Sequence, residues 1–180
     1  MKKAAAMILA LAMIFALGAC GSHSTKYDKD FSDLTTIRFS MTAEEITELE
    51  QSLFGNILYE ETSNSNGDTV LRFTDGTNND CEHLYCFRQG SGELLFFTYS
   101  STKAYRDEES VRLQSAFMEY SPDENRETSM SYSYYWYGSI GQVPCEIRYT
   151  RETVLKLNER ITVSSGEYTG GGFTLYGTEG

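Results

Sequence analysis

Histidine is scarce in this sequence, which has only His23 and His83 among its 180 residues. A catalytic serine or cysteine needs an imidazole beside it. His23 lies in a polar stretch near the amino terminus, so a nucleophilic site would depend on His83. No G-x-S-x-G segment is present either. We therefore predict no catalytic residue.

Positive charge is also in short supply, with 15 Lys and Arg against 26 Asp and Glu and a net charge of -11. No basic cluster offsets this balance, and an acidic surface repels nucleic acid and anionic lipid headgroups. Nucleic-acid binding is therefore excluded. The sequence also gives no indication of a cofactor.

A hydrophobic run long enough to span a membrane is missing. The longest run, residues 4–17, follows Lys2 and Lys3 and would be roughly 21 Å long as a helix. A membrane span needs about 20 apolar residues. The order of basic, apolar and small residues is typical of a signal peptide, and a short amino-terminal anchor helix is the alternative.

The end of this run carries a more specific pattern, Leu17-Gly18-Ala19-Cys20. It resembles the lipobox of bacterial lipoproteins, in which a branched residue and two small residues precede a cysteine. The resemblance implies cleavage before Cys20 and lipid attachment to its sulfur. It also implies a membrane partner, and a location on the extracytoplasmic face of the bacterial cell membrane. Two acyl chains would anchor such a protein stably.

The domain organisation follows from this motif. We predict a signal peptide at 1–19, a lipidated cysteine with a flexible tether at 20–32, and a single domain at 33–180. The tether is polar and contains Gly and Ser without periodicity, which is typical of a flexible linker. Aromatic residues make up 13% of the chain, which argues against disorder in the domain.

One segment has the pattern of a helix. Thr42 and Glu45 fit a capping box, and Gly55 supplies a stop signal. An apolar stripe follows at helical spacing: Ile46, Leu49 and Leu53. The glutamates are expected on the other faces: Glu44, Glu45, Glu48 and Glu50.

The rest of the domain has the pattern of β-strands separated by turns. Three hairpins are predicted, pairing 57–59 with 69–73, 81–88 with 93–99, and 131–137 with 143–149. Other strands are predicted at 34–39, 111–120, 153–157, 160–163 and 173–176, with a helix as the competitor at 111–120. The acidic residues 121–127 are expected to form an exposed loop. The predicted fold class is α+β, with one amino-terminal helix packed on a large antiparallel, meander-like β-sheet that can curl into a half-barrel.

Three cysteines remain once Cys20 is assigned to lipid. A disulfide is plausible outside the cytosol. On a continuous strand Cys81 and Cys86 point to opposite faces, so we favour a bond from one of them to Cys145, with Cys86–Cys145 as the candidate pair. The alternative is that all three are reduced and buried.

Cys81, His83 and Cys86 form the one cluster of metal-ligand residue types. Cys81 and His83 would share a strand face, and a thiolate and an imidazole suit zinc. The C-x-H-x-x-C spacing is not a usual zinc pattern. His83 is more simply explained as a surface strand residue.

The segment 131–137, Ser-Tyr-Ser-Tyr-Tyr-Trp-Tyr, is rich in aromatic residues. Period two places them on two faces: Tyr132, Tyr134 and Trp136 on one, Tyr135 and Tyr137 on the other. If one face is exposed, its rings can stack on sugars or contact a protein. Otherwise these side chains pack across strands.

These features predict a membrane-anchored extracytoplasmic lipoprotein that acts as a non-enzymatic binding module for an envelope protein or glycan. Two alternatives remain open. One is a small envelope hydrolase that uses paired carboxylates, and the other is a metal-binding module.

Overall fold

The computed structural model describes residues 27–53, 57–75, 81–102, 108–152 and 158–166. The predicted signal peptide and lipobox lie outside these residues, as do the strands predicted at 153–157 and 173–176. Of the predicted tether, only residues 27–32 are included.

Within the described residues, eight strands form one antiparallel sheet, which confirms the sheet predicted from the sequence. The strands are β1 Ile57–Ser63, β2 Thr69–Asp75, β3 Cys81–Phe87, β4 Leu94–Thr102, β5 Glu124–Glu127, β6 Ser131–Ile140, β7 Val143–Glu152 and β8 Asn158–Ser165. Their order across the sheet is β1-β2-β3-β4-β8-β7-β6-β5. The last described strand therefore lies at the centre.

This order divides the chain into two halves of the same topology. Each half is a helix followed by four consecutive strands, and the helices are α1, Ala43–Leu53, and α2, Glu108–Met118. The halves meet where β4 pairs with β8. The predicted architecture of one amino-terminal helix on a meander-like sheet is therefore wrong, because the described chain is mainly one eight-stranded sheet with two short helices.

The strand predicted at 111–120 is wrong, because most of these residues belong to α2. Ser110, Leu113 and Phe117 are its buried residues, and their spacing is helical. Val111, Leu113 and Phe117 also fit period two over a short window, which explains the wrong prediction. Glu108 and Glu109 occupy the first turn, where negative charge favours a helix.

Helix α1 begins with a capping box. The backbone N–H of Thr42 donates to Glu45 Oε2 over 2.8 Å, and the N–H of Glu45 donates to Thr42 Oγ1 over 3.2 Å. The predicted apolar stripe is only partly correct. Ile46 is fully buried, but Leu53 is 50% exposed, and the other buried residue of the helix is Glu50.

The folded body begins earlier than the predicted boundary at residue 33. Phe31 is fully buried, and its N–H donates to the carbonyl of Ser139 over 2.8 Å. The N–H of Ser139 in turn donates to the carbonyl of Lys29 over 2.8 Å. Residues 29–31 therefore extend the sheet beside β6, where the sequence alone indicates a flexible tether.

Two other local predictions need correction. The strand predicted at 34–39 is a 3-10 turn, Ser32–Leu34, followed by irregular chain, in which Ile37 and Phe39 are buried. The acidic stretch 121–127 is not all loop, because it contains the short strand β5.

The two faces of the sheet differ. The face that carries the helices holds the main core, which includes Phe73, Phe97, Trp136, Ile147 and Val163. Charged and hydroxyl residues are frequent on the opposite, helix-free face. One row of that face runs through all eight strands: Glu60, Arg72, Leu84, Thr98, Thr162, Arg148, Tyr135 and Glu124.

Candidate functional site

A cluster of polar side chains is buried between α1 and the sheet. Glu50 of α1 lies over His83 and Tyr85 of β3, and its carboxylate oxygens are 3.0 and 3.1 Å from His83 Nδ1. The Tyr85 hydroxyl donates to Glu50 Oε1 and lies 2.9 Å from the Tyr99 hydroxyl of β4. Each of these four side chains is at most 1% exposed.

Strand periodicity brings these groups together. His83 and Tyr85 alternate with Leu84, so both point to the helix-bearing face, and Tyr99 is the direct cross-strand partner of His83. Burial raises the pKa of Tyr85 well above its ordinary value, and electrostatic repulsion from Tyr99 and Glu50 adds to this effect. Tyr85 therefore remains a protonated donor to Glu50 near neutral pH.

This cluster holds α1 on the sheet. A buried carboxylate is costly unless hydrogen bonds compensate for its lost solvation, and both Glu50 oxygens are within hydrogen-bonding distance of His83. The burial of Glu50 was not predicted from the sequence, because a carboxylate beside other glutamates is expected on a solvent-exposed face. Its position four residues after Ile46 is the signal that places it on the inner face.

The expectation that His83 is a surface residue is wrong, since it is fully buried. Cys81 shares its face, whereas Cys86 points to the opposite face, as the alternation predicts. Among the described residues, no group of three or more His, Cys, Asp or Glu side chains is arranged to hold a metal ion.

Cys81, Cys86 and Cys145 are buried, and Cys86 and Cys145 carry free thiols in the structure. Cys86 packs in a small apolar cluster with Val70 and Phe96, while Cys145 belongs to the main core. The expected Cys86–Cys145 bond is therefore not formed. Burial raises the pKa of each of these two thiols to about 12, which makes them poor nucleophiles.

The inner aromatic face of β6 is part of the core. Trp136 is fully buried, and its Nε1 donates to the carbonyl of Tyr120 over 3.0 Å. Tyr134 stacks on Tyr149 with ring centres 6.4 Å apart, and Tyr132 contacts Tyr134 edge-on. The Tyr134–Tyr149 pair is cross-strand packing, the alternative that the sequence left open.

The outer aromatic face of β6 is covered as well. Tyr135 and Tyr137 are each 7% exposed. The Arg126 guanidinium lies 4.7 Å above the Tyr135 ring, and the Tyr27 ring meets Tyr137 edge-on at 6.2 Å. The exposed aromatic strip considered for glycan stacking is therefore not formed.

A different surface is open, at the edge strand β1. Leu58 and Tyr59 on adjacent positions are 54% and 48% exposed. The Tyr59 ring rests on Phe73 with centres 5.2 Å apart, and its hydroxyl donates to Glu61 over 2.7 Å. Partial burial and this hydrogen bond raise the pKa of Tyr59 to about 12. The side chain is thus held as a neutral, ordered group at the edge.

A concavity of about 260 Å³ lies beside this strand and is lined by Leu58, Tyr59, Glu60, Arg72 and Thr74. Arg72 bridges Glu60, at 3.4 Å, and Glu82. Glu60 is the only carboxylate in the lining, and it is paired with Arg72. The concavity is large enough to accept a side chain at the sheet edge.

No protein family matches the chain, and no curated protein or solved structure is significantly similar to it. In the part of the chain that the structure describes, no helix has both the length and the apolar character needed to span a bilayer.

Proposed function

We propose that this protein is a lipid-anchored, extracytoplasmic lipoprotein that acts as a non-enzymatic interaction module for another protein of the bacterial envelope. The anchor is the lipobox cysteine, Cys20. The interaction surface is the exposed edge of the sheet at β1.

The spacing between the anchor and the folded body carries this proposal. Six residues separate Cys20 from Tyr27, which already contacts Tyr137. A flexible chain of that length spans about 12–15 Å. A body attached in this way stays next to the bilayer, where its partners are other envelope components.

The distribution of side chains supports a protein partner over a glycan. The aromatic residues of β6, which would suit sugar stacking, are buried at Tyr135, Trp136 and Tyr137 and half-buried at Tyr132 and Tyr134. Glu50 and His83 are occupied in attaching α1 to the sheet. The exposed apolar side chains Leu58 and Tyr59 lie on an edge strand, a site at which protein segments commonly bind.

The anchoring part of the proposal is tested by expression with the native leader and mass analysis of residue 20. We expect thioether-linked lipid on Cys20, and release of Cys20→Ala protein from the membrane fraction. Recovery of wild-type protein as a soluble species with a free Cys20 thiol would overturn it.

The interaction part is tested in cells with a photocrosslinking amino acid at Thr62, on β1, and at Glu44, on the exposed face of α1. We expect a discrete crosslinked envelope protein from position 62 and none from position 44. Binding of the purified protein to cell-wall glycan, with no protein crosslink from position 62, would contradict this proposal and favour a glycan ligand.

A further inference from the structure

We infer that β1 binds its partner by strand addition, and that the added strand is an extended segment rich in Lys or Arg. This inference rests on the proposed function as an interaction module, and it specifies the binding mode and the chemistry of the partner.

The backbone of β1 is available for pairing. All seven residues of β1 pair with β2 on one side, and no described strand pairs with the other side. In an antiparallel ladder, alternate residues direct their N–H and C=O groups away from the partner strand. Six of the seven residues are exposed, so this edge is open to an incoming chain.

The opposite edge of the sheet is protected. Along β6, strand β5 covers the Tyr132–Tyr135 part, and residues 29–31 cover the part near Ser139. Strand β5 itself has four residues, three of which are charged. A short, charged edge strand is a common protection against pairing with another chain. Strand β1 is charged too, but it is longer, with seven residues.

The charge of β1 selects the partner. Glu60 and Glu61 are adjacent, so they project to opposite faces of the strand, and both are exposed. Residues directly opposite on paired strands have Cβ atoms about 4.5–5.5 Å apart, so opposite charges attract and like charges repel. Pairing of two copies about the centre of β1 would place Glu60 against Glu60. A basic segment is therefore favoured over a second copy of this chain.

The concavity beside β1 adds side-chain selectivity. Leu58 and Thr74 line the concavity, and Glu60 lies beside Arg72, which also pairs with Glu82. Two carboxylates therefore share one guanidinium, which leaves this part of the edge with a net negative charge. A Lys or Arg side chain of the added strand can lay its aliphatic part along Leu58 and direct its charge to Glu60. Backbone pairing then supplies affinity, and this contact supplies selectivity.

The experiment uses the lipidated full chain, purified in detergent, and a labelled peptide, acetyl-Thr-Lys-Val-Lys-Val-Lys-Thr-amide. Two control peptides are used. The first has Glu in place of each Lys, and the second keeps the Lys side chains but has an N-methylated backbone at every Lys and Val. Fluorescence anisotropy measures Kd. We expect the unmodified Lys peptide to bind at least tenfold more tightly than either control peptide, because one loses charge complementarity and the other loses the backbone donors.

The double variant Glu60→Lys, Glu61→Lys should weaken binding of the Lys peptide at least tenfold. The matched control Glu44→Lys, Glu48→Lys has the same change in net charge on the exposed face of α1 and should leave Kd within twofold. Emission of the single tryptophan, Trp136, checks that each variant is folded. Equal binding of the N-methylated peptide, or equal effects of the two double variants, would overturn strand addition.

Analytical ultracentrifugation of the wild-type chain tests whether a second copy of the chain binds the β1 edge instead. A dimer that the Glu60→Lys, Glu61→Lys variant dissociates would assign the edge to a second copy and overturn the inference. The outcomes also separate this inference from the proposed function. A partner that is still crosslinked from position 62 in the double variant keeps the proposed function and rejects a basic strand as the occupant. Peptide binding without any crosslinked partner keeps strand addition at β1 and rejects the proposed function.

Discussion

The Glu50 carboxylate lies 3.0 Å from His83 Nδ1, and both side chains are completely buried. Their hydrogen bond joins α1 to β3 across 33 residues of sequence. Polar groups paired in a low-dielectric core depend strongly on each other, because loss of one leaves the other without compensation.

Replacement of Glu50 should therefore destabilise the protein much more than replacement of an exposed glutamate on the same helix. We expect Glu50→Ala to lower the free energy of unfolding by about 3 kcal/mol. Glu48→Ala, on the exposed face, should change it by less than about 0.5 kcal/mol. Urea unfolding followed by Trp136 emission measures both, and similar values for the two variants would contradict the role of Glu50.

The Tyr85 hydroxyl should contribute to the same attachment. Tyr85→Phe removes the donor to Glu50 and should cost about 1–3 kcal/mol of stability, because a buried acceptor loses its partner. Tyr59→Phe removes a hydroxyl from a half-exposed ring at the sheet edge and serves as the control. A smaller loss for Tyr85→Phe than for Tyr59→Phe would argue against the buried network.

Alkaline pH should weaken the fold through the buried thiols. The pKa of Cys86 and of Cys145 rises from 9.0 to about 12 in the folded chain because burial disfavours the thiolate. Their stabilising effect is complete below pH 9 and is lost as the pH rises towards 12. Because the unfolded chain loses these protons at lower pH than the folded chain, the free energy of unfolding should fall by on the order of 1 kcal/mol per pH unit for each thiol above pH 9. Urea unfolding midpoints between pH 8 and 10 measure this fall. The double variant Cys86→Ala, Cys145→Ala should be less stable at pH 7, but its stability should depend less steeply on pH.

Gly138 should be intolerant of any side chain. A Cβ at this position would lie 2.4 Å from both the Lys29 carbonyl oxygen and the Phe31 ring. We expect Gly138→Ala to cost about 1–3 kcal/mol and to expose the Lys29 peptide bond to trypsin, because the segment 29–31 must move away from β6. Gly141→Ala is the control, since a Cβ there meets no atom within 4 Å and adds only the strain of φ 64°. Unchanged trypsin resistance at Lys29 in Gly138→Ala would contradict this packing.

Local patterns in the sequence predicted the strands better than they predicted the assembly. The predicted strand 143–149 is confirmed as β7. Its sequence alternates Cys145, Ile147 and Tyr149 with Glu146 and Arg148, and the first three are buried. The predicted hairpin between 57–59 and 69–73 is also confirmed, and Gly67 in its turn has φ 82°. These features depend on near neighbours, which a short window of sequence contains.

The errors arise from contacts between distant residues. The pairing of Tyr99 with Ile161 joins β4 to β8, and no local pattern encodes it. Glu50 was placed on the wet face because its partner His83 lies far along the chain. Tyr137 is covered in part by Tyr27, which the sequence alone assigned to the tether. The same tether assignment hid the role of Gly138.

The central position of β8 has a consequence for biogenesis. Ribosomes make proteins from the amino terminus, so β8, which bridges the two halves, is made after the seven other described strands. Until residue 165 is free, β4 and β7 both lack their shared neighbour, and the sheet consists of two unjoined pieces. The sheet is therefore completed only when β8 has been made, so the synthesis of this one strand sets the earliest time at which the two halves can join.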